Sequence, residues 1–281
     1  MTAAEMDASL AQRGWVAIDL PDASPIYEAR DRLLEHLRKA LPSLERLDDY
    51  HTQVRSDAEH DSILHDLASY YWESQLGRPI IVRNLSLFRE LIGPDLHIQR
   101  FPYLRAVRPT QTRDAAPLHR DTYYGASPFE VSVLVPFTEM DARSALRVIG
   151  GSHVAPDSAY PYTQTTSPDV QIRSARHQLG FPYAPRLLAA SLWEVAEPVP
   201  LKVGQVLIFP LQLVHGGGTN HGTRTRFSTD IRLANSLAPV QWSRGVRDDY
   251  FVPLCTSAVT RSAQAFLAAN ANAKAPDPAA S

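Results

Sequence analysis

The first third of the chain has the hydrophobic spacing of amphipathic helices. Ser24-Pro25 begins a run in which leucine and isoleucine recur at helical intervals until the next proline, and serine and proline are favoured at helix starts. The same spacing predicts a second helix over residues 57–76 and a third over residues 85–92. An apolar run at residues 15–20 predicts a short β-strand ahead of them. The front of the chain is therefore expected to be mostly helical.

After residue 94 the pattern changes to short β-branched and aromatic runs, which are bounded by proline, glycine and aspartate. The runs at residues 96–101, 131–137 and 145–149 predict β-strands. Strands that follow a block of helices favour an α+β arrangement, or a β-barrel that carries helices on its outside.

Residues 206–233 have the clearest pattern in the chain. An apolar run ends at His215, three glycines follow, and polar and apolar residues then alternate strictly. Arg226 and Ser228 therefore share one face of the second run, while Phe227 lies on the other. Two such runs separated by glycine and asparagine predict an antiparallel hairpin with an open turn. The polar face of this hairpin is either solvated or directed at a ligand.

Composition narrows the class of protein. The chain has 281 residues with 44% hydrophobic content, enough for a sizeable core, and a formal net charge of −2, which gives no overall attraction for nucleic acid or anionic lipid. Cys255 is the only cysteine, so an internal disulfide and a cysteine-based zinc site are excluded. The acidic start lacks a signal-peptide core, and no apolar run is long enough to span a bilayer. We expect a cytoplasmic protein without nucleic-acid or membrane partners.

The histidines separate into two groups. Three lie on predicted helices and are interpreted as surface or cap residues: His36, His60 and His65. His119 and Asp121 form the only His-x-Asp in the chain, and residues at i and i+2 of an extended segment point the same way. His215, at a predicted strand end, is the best third ligand, and His221 in the following turn is its competitor. Two histidines and one carboxylate describe non-haem Fe(II) oxygenases, although a zinc hydrolase could use the same ligands.

This set of residues resembles the phytanoyl-CoA dioxygenase family of Fe(II)- and 2-oxoglutarate-dependent oxygenases. The family's His-x-Asp matches His119 and Asp121, and its distal His-Gly matches His215-Gly216. Its strand, aspartate-containing turn and Gly-Ser-His match residues 131–153. The resemblance extends from residue 14 to residue 233 and therefore covers most of the chain.

The resemblance implies a mainly β (α+β) fold, the double-stranded β-helix, which is a jelly-roll barrel like that of cupins. N-terminal helices are expected to pack on the outside of one sheet. We expect one catalytic domain over residues 1–262, with helical support in residues 1–94 and a barrel core in residues 95–240. Residues 263–281 are expected to form a flexible tail.

The resemblance also indicates how the co-substrate is held. The family's co-substrate arginine falls eleven residues after the distal histidine, at Arg226, and Ser228 completes its Arg-x-Ser motif. If helices cover the apolar face of this strand, Arg226 turns inward, where a guanidinium is costly to bury unless it is paired. The distal carboxylate of 2-oxoglutarate is the implied partner. Gln99 is a further candidate contact to 2-oxoglutarate or else an edge polar residue, and Asp230 and Arg232 are expected to pair with each other.

The implied activity uses Fe(II), 2-oxoglutarate and O2 to hydroxylate an unactivated C–H bond of a small molecule, with release of succinate and CO2. The presence of Asp121 favours hydroxylation, because halogenating relatives lack this carboxylate. The same iron centre also serves desaturation, cyclisation and epimerisation. A non-catalytic barrel that binds a metal or ligand is the alternative from another class.

Two proline-interrupted segments, residues 103–118 and 154–200, are expected to be lid loops at the mouth of the barrel. Their composition favours a small polar substrate that carries a carboxylate, phosphate or sugar group, unless the arginines are simply solvated. The aromatic and arginine residues concerned are Tyr103, Arg105, Arg108, Arg113, Tyr160, Tyr162, Arg173, Arg176, Arg186 and Trp193. The sequence leaves the oligomeric state open.

Overall fold

The computed structural model describes residues 1–163, 186–238 and 250–270. The α-helices of these ranges are α1 (Ala3–Arg13), α2 (Ser24–Leu37), α3 (Asp57–Glu73), α4 (Arg78–Val82), α5 (Leu85–Ile92), α6 (Leu192–Val195) and α7 (Ala258–Asn270). The strands are β1 (Val16–Asp19), β2 (Leu96–Gln99), β3 (Tyr103–Val107), β4 (Glu130–Pro136), β5 (Leu146–Val148), β6 (Glu197–Val199), β7 (Gln205–Pro210), β8 (His215–Gly216), β9 (Arg226–Asn235) and β10 (Phe251–Cys255). None of the described helices is both long and apolar enough for a transmembrane segment.

The strands form two antiparallel sheets. The large sheet has the order β1-β7-β4-β9-β2-β10, and β3 pairs with the first half of β9. The small sheet has the order β6-β5-β8. Among the described residues, hydrogen bonding does not close the two sheets into one continuous barrel, so the predicted barrel is a β-sandwich with jelly-roll architecture.

Two apolar layers hold the sandwich together. Leu207 and Phe209 of the large sheet pack against Leu146 and Val148 of the small sheet, which fills the space between the sheets. On the opposite face of the large sheet, the apolar residues of β4, β7 and β9 form one core with helices α1 to α5. The expectation that N-terminal helices cover the outside of one sheet is confirmed. This cover directs Phe227 outward and therefore turns Arg226 toward the interior.

The three predicted helices are present, but not all of them have the predicted ends. Helix α5 has the predicted bounds, while α2 ends at Leu37 rather than at the following proline. Helix α1 is not among the predicted elements, although Thr2 and Glu5 form a capping box that marks its start. At the other end, α7 starts at Ala258, inside the predicted domain, and continues to Asn270. The remainder of the predicted tail, residues 271–281, lies outside the described residues.

The predicted hairpin in residues 206–233 is wrong. Strand β7 pairs with β1 and β4, and β9 pairs with β4 on one side, so β4 separates the two strands that were expected to be neighbours. Between them the chain crosses to the small sheet, where β8 pairs with β5. The glycines after His215 serve this crossing between sheets, and local turn signals do not distinguish such a crossing from a hairpin.

The described parts of the two predicted lid segments contain residues that are built into the fold. Residues 103–107 form β3, which lies along β9 and is not a loop. Trp193 and Tyr160 pack against a small apolar cluster that contains Leu118 and Val214. Residues 164–185, with Arg173 and Arg176, lie outside the described ranges.

Arg108 and Arg113, which were candidates for substrate binding, instead fasten the first lid segment to α3. Arg108 Nε donates to Asp114 Oδ2 at 2.9 Å, and its Nη2 donates to Asp57 Oδ1 at 2.8 Å. Arg113 pairs with Asp61 at 2.8 Å. Both arginines are therefore engaged by helix α3 or by their own loop.

His60 belongs to the same buried cluster, so its interpretation as a surface or cap residue is wrong. Its side chain is 0% exposed, its Nδ1 lies 3.0 Å from the Tyr50 hydroxyl, and its Nε2 lies 3.8 Å from Asp114 Oδ1. Burial lowers the pKa of His60 to about 4, although the Asp114 carboxylate acts in the opposite direction. His65, on the same helix, is exposed as predicted.

We expect His60 to make folding pH-dependent. Its pKa is lower in the folded protein than in the unfolded chain, so the stability it contributes is complete above about pH 6.5 and declines as pH falls toward about pH 4. Between about pH 7 and about pH 5 this single group should cost about 2 kcal/mol. Denaturant unfolding at both pH values should show a smaller pH-dependent loss for His60→Gln than for the wild type. His65→Gln is the control, and an equal pH-dependent loss in all three proteins would contradict the prediction.

Candidate metal centre

The backbone itself brings two histidines together at the edge of the small sheet. His119 and His215 form an antiparallel bridge, in which the His119 N–H donates to His215 O at 2.9 Å and the His215 N–H donates to His119 O at 3.0 Å. A Cβ at Gly216 would lie 2.9 Å from both Leu118 N and Pro117 O. Glycine at this position therefore allows the two segments to approach closely enough for the bridge to form.

Both imidazoles are oriented by backbone carbonyls. His119 Nδ1 donates to Pro117 O at 2.7 Å, and His215 Nδ1 donates to Leu213 O at 2.9 Å. A carbonyl can only accept, so each ring carries a proton on Nδ1, and Nε2 is the atom left to face a metal. Burial, and then the neighbouring His119, lower the pKa of His215 to about 4. The neutral ring is the form that binds a metal.

Asp121 completes a cluster of three possible ligands. One ligand atom from each of His119, Asp121 and His215 lies within 4.8 Å of the others, and all three residues are buried. Asp121 Oδ1 is 3.3 Å from His119 Nε2, while Oδ2 accepts from Arg232 Nη2 at 2.7 Å. Burial by itself would raise the pKa of Asp121, but Arg232 and the histidines hold it well below its usual range. The carboxylate is ionised.

Arg226 and Ser228 share a cavity with this cluster. Arg226 is only 4% exposed, its Nη1 donates to Ser144 O at 2.7 Å, and no carboxylate within the described ranges forms an ion pair with it. Its Nε and the Ser228 hydroxyl are both buried without a hydrogen-bond partner in the described part of the chain. Burial, followed by the nearby Arg105, lowers the pKa of Arg226 to about 10, so it stays protonated at neutral pH. The cavity therefore presents a buried cation with unused donors.

Gly217, which has no side chain, leaves room beside the Arg226 guanidinium. A Cβ at Gly217 would lie 2.8 Å from Arg226 Nη2. The second glycine after the distal histidine thus allows the loop to pack directly on Arg226, and the loop backbone becomes one wall of the cavity.

The other charges in the cavity pair differently from the prediction. Asp230 and Arg232 do not pair with each other. Arg232 pairs with Asp121, and Asp230 Oδ2 lies 3.4 Å from Arg105 Nε on the neighbouring strand. The alternation along β9 shows that the charges share a face, but only the pairing of β9 with β3 shows which partner each one meets.

Two other candidate residues lie apart from the cluster. Gln99 donates from Nε2 to Phe101 O at 2.9 Å and accepts at Oε1 from the Arg232 N–H at 3.2 Å, so both of its polar groups are engaged by backbone. His221 is exposed, with its backbone N–H bonded to Arg143 O. Of the two candidate distal histidines, the fold brings only His215 to the other ligands.

Two solved structures with related architecture are those of non-haem enzymes. The monooxygenase ThoJ in its apo form superimposes with a TM-score of 0.55 at 19% identity, covering 90% of this chain and 84% of ThoJ. The non-haem α-ketoglutarate-dependent carbocyclase SnoK from nogalamycin biosynthesis gives a TM-score of 0.52 at 14% identity, covering 90% of this chain and 98% of SnoK. At these identities the similarity establishes the fold. No curated protein sequence matches the chain significantly.

The sequence comparison with protein families agrees with the geometry. The model of the family described as phytanoyl-CoA dioxygenase (PhyH) matches residues 23–228, which is most of the chain and includes all three residues of the metal cluster. The chain belongs to the phytanoyl-CoA dioxygenase family.

Proposed function

We propose that this protein is an Fe(II)- and 2-oxoglutarate-dependent dioxygenase that hydroxylates a C–H bond of a small molecule and releases succinate and CO2. The observation that carries the proposal is the buried Arg226, which has no carboxylate partner among the described residues and lies in the same cavity as the His119, Asp121 and His215 cluster. A buried guanidinium without a carboxylate is unfavourable unless a ligand supplies one. A dicarboxylic co-substrate that bridges the metal and Arg226 would supply it.

The donor set fits divalent iron. Two neutral imidazole nitrogens and one carboxylate oxygen form the facial arrangement of non-haem Fe(II) oxygenases, which leaves positions open for other ligands. When bound, Fe(II) with 2-oxoglutarate and O2 supplies the oxidising power for an unactivated C–H bond. A zinc hydrolase would leave Arg226 without a role, and hydrolysis requires no dicarboxylate beside the metal.

In this proposal, residues of the chain bind and orient the co-substrate and shield the metal from water. Arg226 offers a forked donor to a carboxylate, and the Ser228 hydroxyl lies on the same strand face to give a further hydrogen bond. Leu134, Leu146 and Phe209 line the cavity, and the Phe209 ring centroid lies 4.7 Å from that of His215. These apolar walls exclude water from the metal side of the cavity, which protects an oxidative reaction from side reactions.

The Arg105 and Asp230 pair supports a neutral, hydroxyl-bearing substrate. Both residues line the cavity, with side chains 17% and 18% exposed. Their contact of 3.4 Å is long for a salt bridge, and Ser132 Oγ is 3.5 Å from the other Asp230 oxygen. The pair therefore presents a donor and an acceptor side by side, while Asp230 would repel an anion. Adjacent hydroxyl groups, as in a sugar, match this arrangement better than a carboxylate or phosphate does.

The reaction is tested by measuring succinate formed from 2-oxoglutarate in the presence of Fe(II) and a panel of small molecules. Hydroxylation places one atom from 18O2 in the hydroxylated product and the other in succinate. A product that has lost two hydrogens, or has cyclised or epimerised, without gaining 18O would assign a different reaction to the same centre. No succinate with any compound, from protein that binds iron, would favour a non-catalytic metal-binding protein.

We expect His119→Ala, Asp121→Ala and His215→Ala each to lose Fe(II), because each removes one of three ligands from a buried site. Metal content of anaerobically loaded protein, with circular dichroism to check folding, measures this. His221→Ala is the matched control and should retain wild-type iron. Iron loss in His221→Ala, with retention in His215→Ala, would reverse the assignment of the distal ligand.

Arg226→Ala should weaken 2-oxoglutarate binding about tenfold or more, because a charge-assisted Arg–carboxylate contact contributes roughly 1.5–3 kcal/mol. Iron should remain bound. Arg226→Lys should restore binding only in part, since an ammonium lacks the fork. Anaerobic titration of Fe(II)-loaded protein gives the dissociation constants. Arg224→Ala removes an exposed arginine two residues away, and weakening of equal size in that control would refute the role of Arg226.

Neutral polyhydroxylated compounds, such as a panel of glycosides, should accelerate succinate formation more than carboxylates or phosphates of similar size do. Arg105→Gln should then raise the KM for the accelerating compound while iron binding is unchanged, because the charged donor of the Arg105–Asp230 pair is lost and the metal cluster is left intact. Arg186→Gln, which changes an exposed arginine outside the cavity, is the control. Acceleration by anions alone would contradict the substrate class.

A further inference from the structure

The metal-ligand carboxylate has two oxygens with different surroundings. Asp121 Oδ1 lies 3.3 Å from His119 Nε2, on the side where the histidines converge, whereas Oδ2 accepts from Arg232 Nη2 at 2.7 Å. Both side chains are nearly inaccessible, with 8% exposure for Arg232 and 4% for Asp121. A charge-assisted bond of this length in a buried site is among the stronger hydrogen bonds that a protein makes.

Arg232 is itself held in place from several directions. It lies on β9 inside the large sheet, opposite Ser132 of β4, and its backbone N–H donates to Gln99 Oε1 at 3.2 Å. The Tyr103 ring centroid lies 5.2 Å from its guanidinium carbon, within the range of a cation–π contact. The backbone of Asp121 is fixed separately, because its N–H donates to Leu211 O at 3.0 Å. Both ends of the Arg232–Asp121 bond are thus anchored to the scaffold.

We propose that Arg232 is a positioning residue that occupies Oδ2 of Asp121 and thereby leaves a single carboxylate oxygen, Oδ1, for the metal. The inference rests on the proposed function. A carboxylate can bind a metal through one oxygen or through both, and the second oxygen would take a position that 2-oxoglutarate or O2 needs. Gln99, which the sequence predicted as a contact to 2-oxoglutarate, instead accepts a hydrogen bond from the backbone N–H of Arg232 and so helps to hold this part of β9 in place.

Two electrostatic effects of Arg232 on metal affinity oppose each other. Its positive charge repels a cation bound a few ångströms away, while its hydrogen bond keeps the carboxylate ionised and aimed. Loss of Arg232 is therefore expected to leave metal bound, with Asp121 free to use both oxygens. This outcome separates a positioning role from a purely structural one, because a structural loss would release the metal or unfold the protein.

The test is Arg232→Met, compared with wild type in anaerobic Co(II) binding, in a crystal structure of the Co(II)-loaded protein, and in 2-oxoglutarate turnover. We expect Co(II) to remain bound, both oxygens of Asp121 to coordinate it in the variant against one in the wild type, and turnover to fall roughly 10- to 100-fold. Arg232→Lys, which keeps a donor for Oδ2, should retain coordination through one oxygen. Arg108→Met is the matched control, because it removes another buried Arg–Asp pair outside the cavity.

Several results would contradict the proposed role of Arg232. Coordination through one oxygen in Arg232→Met would show that Arg232 does not determine how Asp121 binds the metal. An equal fall in turnover in Arg108→Met would show that the loss of turnover follows from removing any buried Arg–Asp pair. If Arg232→Met does not fold, Arg232→Gln keeps a polar group but has a shorter reach, and the same structural readout applies to it. Failure of the wild type to bind Co(II) would instead refute the proposed function.

Discussion

The site depends on one backbone interaction, the antiparallel bridge between His119 and His215. Its two N–H···O bonds join a segment without regular secondary structure to the edge of the small sheet. Each histidine is then oriented by a carbonyl two residues earlier in its own segment, at Pro117 or Leu213. The geometry of these two candidate ligands is thus set by main-chain hydrogen bonds, which are less easily altered by substitution than contacts between side chains. Gly216 permits the close approach, and a larger residue there would collide with Leu118.

The charges in the cavity are arranged so that one remains available. Arg232 is engaged by Asp121, and Arg105 faces Asp230. Arg226 has only the Ser144 carbonyl among the described residues. A protein that places three guanidinium groups in one cavity, two of them buried, must compensate the buried ones. The one without a carboxylate is also the one that family resemblance connects to the co-substrate, so two independent lines of reasoning point to the same residue.

The helical layer contributes to the site without touching it. It covers the outer face of the large sheet, where Phe227 and Ile231 are fully buried. Side chains alternate along a strand. When the apolar face of β9 is buried against the helices, the side chains of the other face therefore point into the sandwich: Arg226, Ser228, Asp230 and Arg232. The apolar packing of helices on one side of β9 thereby provides the free energy that places charged groups on the other side. The cluster of Arg108, Asp114 and His60 holds the segment before His119 against the same layer.

The sequence by itself determined strand β1, helices α2, α3 and α5, the alternation in β9, and the three candidate ligand residues. These are local patterns: helical spacing, period-two alternation, and a His-x-Asp followed by His-Gly at a family's spacing. Tertiary structure alone decided which strands pair, because the glycines after His215 are as compatible with a sheet crossing as with a hairpin. It also decided the partners of the arginines: Arg108 and Arg113 bind α3, Arg232 binds Asp121, and Gln99 bonds to backbone. A charged side chain reaches several ångströms in any direction, so its partner depends on which distant segments the fold brings beside it.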